Sequence, residues 1–148
     1  MKYKDSDIIL CFTGIGKTYY KELGSNGSFT IEFDIEKEGI EKLRQLQESH
    51  EYRYILLPLS QQLVEDLFTA DMKAIIIAPW YYEREDWFKT WVKCGDDIEK
   101  LSARAKAWGE LNNYLYDDPM PKNFILIHID NGEWLGNLLA ATAPKVEV

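Results

Sequence analysis

The chain has 148 residues, 46% of them hydrophobic and 28% charged, enough for one domain with a sizeable core and too few for two packed domains. Its 17 Lys and Arg against 25 Asp and Glu give a net charge of −8, which excludes a general binder of long nucleic acid, because that needs a basic face to displace counterions; a local basic pocket for a small anion stays open. The 2 cysteines, Cys11 and Cys94, form no CxxC pair, so a zinc site or disulfide framework is not expected and the chain reads as reduced and cytoplasmic.

The opening residues lack the apolar segment of a signal peptide, and no later run approaches the about 20 apolar residues of a membrane span, so no membrane partner is expected. Short apolar runs alternate with amphipathic stretches, the pattern of an α/β domain built on a parallel sheet. Residues 8–12 read as the first strand, closed by Thr13-Gly14-Ile15-Gly16, with a helix over 17–23 and a turn over 24–28. Residues 29–34 alternate as a second strand, and Ile35, Ile40, Leu43 and Leu46 give 35–48 helical spacing. The third strand, 52–57, ends at Pro58, after which Ser60 caps a helix bearing Leu63, Leu67 and Phe68. A fourth strand over 73–78 ends at Pro79. Two helices follow before the sheet resumes. In 83–93, Trp87 with Trp91 and Phe88 with Val92 stand at i,i+4, and Gly95 is the stop. Asp96 or Asp97 then starts a longer helix whose stripe is Ile98, Leu101, Ala105, Trp108, Leu111 and Leu115. Residues 124–129 form the fifth strand, 130–132 a turn, 133–141 a last helix and 142–148 a loose tail.

The stretch from Ile8 to Thr18 carries the most chemistry, because it lies where a strand hands over to a helix. A loop that cradles phosphate needs inward backbone N–H groups, glycines whose missing Cβ allows that approach, and a lysine that reaches the terminal phosphates. A hydroxyl after the lysine ligates Mg²⁺. Gly14, Gly16, Lys17 and Thr18 match the second half of G-x-x-x-x-G-K-[ST], with Cys11 where the first glycine would stand. Thr13 and Ile15 complete the loop. Ligands of open parallel sheets bind beyond the carboxyl ends of the strands, so the other strand ends belong to the same reading. Asp34 ends the second strand, either as a holder of a Mg²⁺-bound water or substrate hydroxyl, or as a helix N-cap. Trp80, Tyr81 and Tyr82 end the fourth, as a stacking platform for a base or as packing. Arg84 and Arg104, in the two-helix segment, are the candidate cations for a moving phosphoryl group or members of a solvated face. Arg53 opens a strand at the opposite end, and His50 and His128 suit no nucleophile pair.

With these elements in place, the chain resembles the small P-loop kinase-like proteins encoded by many bacteriophages, relatives of adenylate and shikimate kinases. The resemblance covers residues 7–139. Similar proteins start with a strand and G-F-P-G-x-G-K-[ST], where this chain has Cys11-Phe12-Thr13-Gly14-Ile15-Gly16-Lys17-Thr18. Their Asp-Ser-Asp group after the second strand is reduced here to Asp34. Their lid ending, E-R-Y-x-x-R-G, is represented by Lys89-Thr90-Trp91-Val92-Lys93-Cys94-Gly95, which keeps the aromatic and the glycine but not the arginines. The resemblance implies a three-layer α/β/α P-loop domain with a five-stranded, mostly parallel sheet and a helical lid over 82–117. It further implies a nucleotide or nucleoside monophosphate kinase using ATP and Mg²⁺, with Lys17 on the phosphates, Thr18 on the metal and Asp34 near the acceptor. The departures open a second expectation, a pocket that holds a phosphorylated nucleotide without transferring phosphate and sequesters a host nucleotide signal. A homodimer is consistent with the aromatic content.

Overall fold

A computed structural model describes residues 2–15, 30–115, 123–131 and 146–147. The expected helices over 17–23 and 133–141, and with them Gly16, Lys17 and Thr18, lie outside the described residues.

The chain begins with the short strand β1, Lys2–Tyr3, and then β2, Asp7–Cys11. The remaining strands are β3 (Thr30–Glu32), β4 (Tyr54–Pro58), β5 (Ala74–Pro79), β6 (Phe124–Ile129) and β7 (Val146–Glu147). Strands β2 to β6 form a five-stranded sheet in the order β3-β4-β2-β5-β6, and each neighbouring pair is parallel. Central strands β2 and β4 are apolar on both faces because the sheet is covered on both sides. Ile8, Leu10, Ile55, Leu56 and Leu57 have no exposed surface. With the helices this is a three-layer α/β/α arrangement, and no described helix is long and apolar enough to cross a membrane.

The connection leaving β2 leads to β3, past β4, whereas the one leaving β5 leads outward to β6. The chain therefore diverges between neighbours β2 and β5, and that point in an open parallel sheet is where a crevice forms beyond the strand ends. At the opposite end, Arg53 is ion-paired with Asp7 and lies over the Tyr54 ring.

The helices are α1 (Ile35–Glu38), α2 (Ile40–Ser49), α3 (Gln61–Thr69), α4 (Arg84–Lys93) and α5 (Ile98–Leu115). The single helix expected over 35–48 is divided at Gly39, whose φ of 84° and ψ of 164° are not helical. Ser60 caps α3 as expected, its hydroxyl accepting the Leu63 N–H at 3.1 Å. Helix α4 is entered through a 3-10 turn, Tyr81–Glu83, and Gly95, at φ 89°, reverses the chain toward α5. Asp97 rather than Asp96 caps α5, accepting the Lys100 N–H at 2.9 Å. Ile98, expected on the apolar stripe, is 80% exposed; the stripe starts one turn later, at Leu101, and leads to buried Trp108. The tail, expected to be loose, contributes β7, which pairs antiparallel with β1.

Candidate functional site

The site is built at the carboxyl end of β2, the central strand. The Phe12 N–H donates to the Ile77 carbonyl at 3.0 Å and the Leu59 N–H to the Cys11 carbonyl at 2.9 Å, so the ladder holds the chain up to the loop's first residue. Cys11 is buried, with its thiol directed to the Ile9 carbonyl, a packing role. Phe12 and Ile15 are buried, Thr13 is exposed, and Gly14 between them has φ 81°. L-residues pay a steric cost in that region and glycine does not, so the local reason for Gly14 is the reversal of the chain as it leaves the strand.

Gly14 has a second reason, which comes from the helical pair α4–α5, the segment expected as a lid. The Trp91 indole N–H donates to the Gly14 carbonyl at 2.9 Å. A Cβ on Gly14 would collide with Arg104 Nη1, and would lie 2.5 Å from Trp91 Nε1 and 2.8 Å from Arg104 Cζ. The Arg104 guanidinium therefore rests on the loop backbone. It is also 4.9 Å from the centroid of the Trp91 ring, a cation–π arrangement, and its Nη1 lies 3.0 Å from Asp96 Oδ2. The two charged side chains are 15% and 11% exposed.

Beneath this group lies an aromatic cluster. Phe12 stacks on Trp91, with centroids 6.5 Å apart, and meets Trp108 edge to face at 5.4 Å. Trp91 meets Trp108 at 6.1 Å, Phe88 at 5.1 Å and Trp87 at 5.9 Å. Each such pair adds about 0.5–1.5 kcal/mol beyond the area it buries, so the cluster fixes the helical pair on the loop. Trp108 also spans to the neighbouring strand end, donating its indole N–H to the Tyr81 carbonyl at 3.3 Å. The crevice between β2 and β5 is thus roofed by α4 and α5.

Of the expected cations, Arg104 is brought to the loop. Arg84 is exposed and lies over Phe88 of its own helix, 5.2 Å from the ring. Trp80 stacks on His128, with ring centroids 3.8 Å apart, and on Tyr82 at 5.8 Å, so its faces already have ring partners. The Tyr81 ring is partly exposed and tilted against Trp108. Asp34 is the N-cap of α1, accepting the Lys37 N–H on Oδ1 at 3.2 Å, which leaves its other oxygen for a ligand. Strand β4 separates β3 from β2, so two spacings of about 4.8 Å put Asp34 roughly 10 Å across the sheet edge from the loop. Beside it opens a cleft of about 560 Å³ between Phe33, Pro58 and Leu63. Glu32, Asp34 and Glu36 line it without any Lys or Arg among the described residues, so it suits a hydroxyl or amino group better than a second phosphate. Asn131 ties the end of β6 to α4, donating from Nδ2 to Thr90 Oγ1 at 3.0 Å.

Trp91, Trp108 and Asp96 belong to the site and were not singled out from the sequence. Trp91 carried a signal, since it is the aromatic of the lid ending that the chain retains. Among the described residues there is no cluster of three or more His, Cys, Asp or Glu fit to hold a metal; a Mg²⁺ here would depend on Thr18, on Asp34 at a distance and on the ligand's own phosphates. The chain matches no protein family, no curated protein and no solved structure.

Proposed function

We propose that the chain is a nucleotide-binding, kinase-like protein that takes the phosphates of ATP at the Thr13–Thr18 loop and passes the terminal one to a hydroxyl acceptor beside Asp34. The observation that carries this reading is Arg104, held by α5 directly on the Gly14 backbone at the carboxyl end of the central strand. A cation fixed in a largely water-excluded crevice over a glycine turn is what a transferring phosphoryl group requires. Gly14, Ile15, Gly16 and Lys17 would cradle the phosphates, and Thr18 would hold Mg²⁺, whose role is to neutralise and orient them. Asp34 would orient the acceptor, which the acidic cleft at its side admits. Trp80 and Tyr81 would flank the base as fixed walls. The two free cysteines, Cys11 buried and Cys94 exposed, fit a reduced cytoplasmic setting, and the exposed Val92 and Ile98 supply an apolar tip on which a homodimer could form.

A second reading, binding without transfer, is favoured by the arginines themselves. Arg104 already faces Asp96, and Arg84 lies on Phe88, which leaves the transferred group less charge compensation than catalysis uses. Such a protein would sequester a phosphorylated nucleotide signal. Titration calorimetry with ATP, nucleoside monophosphates and cyclic nucleotides, with and without Mg²⁺, separates the two. Mg²⁺-dependent ATP binding lost in Lys17→Ala, with ADP formed in the presence of one acceptor, is the kinase result. Metal-independent binding of a nucleotide recovered intact is the sequestration result, and no binding of any of them refutes both.

A further inference from the structure

Asp96 has entered so far only as the charge that Arg104 faces, and no role of its own has been assigned to it. Asp97 takes the capping of α5, so Asp96 is free of that duty and its side chain is turned inward, 11% exposed. Its Oδ2 lies 3.0 Å from Arg104 Nη1, yet off the direction of the N–H, and this buried oxygen makes no hydrogen bond among the described residues. The pair therefore has Coulombic contact without the aligned, charge-assisted hydrogen bonds that make an arginine–carboxylate pair strong. A buried ion pair with poor geometry recovers little of its desolvation cost. An incoming phosphate offers several acceptor oxygens to the same guanidinium and can take the position that the carboxylate holds.

The backbone allows that exchange. Asp96 sits on the connection between α4 and α5, next to Gly95 at φ 89°, and is anchored through its own N–H to the Trp91 carbonyl at 3.1 Å. Its side chain can leave Arg104 without unwinding either helix, since neither helix is capped by it.

We infer that Asp96 is a built-in competitor that regulates this site: its carboxylate occupies the anion position on Arg104, so a phosphate entering at the Gly14 loop must displace it, and the affinity of the site is set below what Arg104 alone would give. The inference rests on the reading of the loop as a phosphate site and adds how its affinity is regulated. Removing the carboxylate's charge frees Arg104, so every phosphate gains, and the more highly charged one gains at least as much because it also loses the larger repulsion.

The test is titration calorimetry of the full chain with tripolyphosphate and with orthophosphate at fixed ionic strength. The wild type should prefer tripolyphosphate, and Asp96→Asn should bind both anions about 10-fold more tightly than the wild type does, with tripolyphosphate gaining at least as much as orthophosphate. A folded Asp96→Asn with wild-type affinities, or weaker ones, overturns the role of Asp96 while leaving the phosphate site standing. Binding of neither anion by either protein overturns the site and the inference together. Should Asp96→Asn not fold, Asp96→Glu moves the charge by one methylene and must change orthophosphate affinity; identical affinities overturn the proposal.

Discussion

Gly14→Ala tests the packing of the helical pair on the loop. The new methyl group meets two separate obstacles. The backbone at φ 81° costs an L-residue about 1–2 kcal/mol. The methyl would also collide with the Arg104 guanidinium and lie 2.5 Å from the Trp91 indole nitrogen, and relieving overpacking of that kind costs about 1–3 kcal/mol. Against these, alanine lowers the entropy of the unfolded chain by about 0.4–1 kcal/mol. The net expectation is a loss of roughly 2–4 kcal/mol, read as a lower urea midpoint with an unchanged m-value. The double variant Gly14→Ala/Arg104→Ala sharpens the test, because the substitutions share one contact and cannot be additive. The second change should return about 1 kcal/mol of the first one's cost, the backbone and Trp91 terms remaining. A Gly14→Ala loss below about 1 kcal/mol, or strict additivity, would refute the placement of Arg104 on the loop.

Three further outcomes follow from other parts of the molecule. Trp91→Phe keeps an aromatic ring but removes the N–H that bonds the Gly14 carbonyl at 2.9 Å, together with part of a buried indole; it should cost at least about 1–2 kcal/mol and speed amide hydrogen exchange in α4 and α5, and unchanged exchange would count against the contact. Ser60→Ala removes the cap of α3 and should lower stability by about 1 kcal/mol in urea melts without altering ligand affinity measured by calorimetry. Asp7→Asn breaks the partly exposed pair with Arg53 at the far end of the sheet; chemical denaturation should register no more than about 1 kcal/mol, and nucleotide affinity should not change.

The sheet was legible because its signal is local. Strands β2, β4, β5 and β6 are mostly runs of apolar β-formers, and Pro58 closes β4 and Pro79 closes β5. The Ser60 cap was legible for the same reason. Gly39 was misread because apolar spacing alone runs straight through it, and the spacing of Ile35 and Ile40 does not register that φ has changed sign. Ile98 was misread because the phase of the α5 stripe depends on where Gly95 turns the chain. The site was only partly legible. Gly14 and Arg104 could be picked out by residue type, but their contact depends on how two helices cross over a strand end, which no spacing along the chain records. Asp96 and Asp97 are equivalent as caps in sequence; only the fold assigns one to the helix and the other to Arg104. The surroundings of Trp80 were not legible for a related reason, since the parallel register that sets Ala78 opposite His128 brings the His128 ring onto the indole two residues further on.

Calorimetric titration of the wild type, Lys17→Ala and Arg104→Ala with ATP and Mg²⁺ addresses the central claim most directly. The account predicts saturable binding to the wild type that is weakened about 10-fold or more in each variant, with both variants folded by circular dichroism. Binding of equal strength in all three proteins would contradict it, as would a wild type that binds no nucleotide.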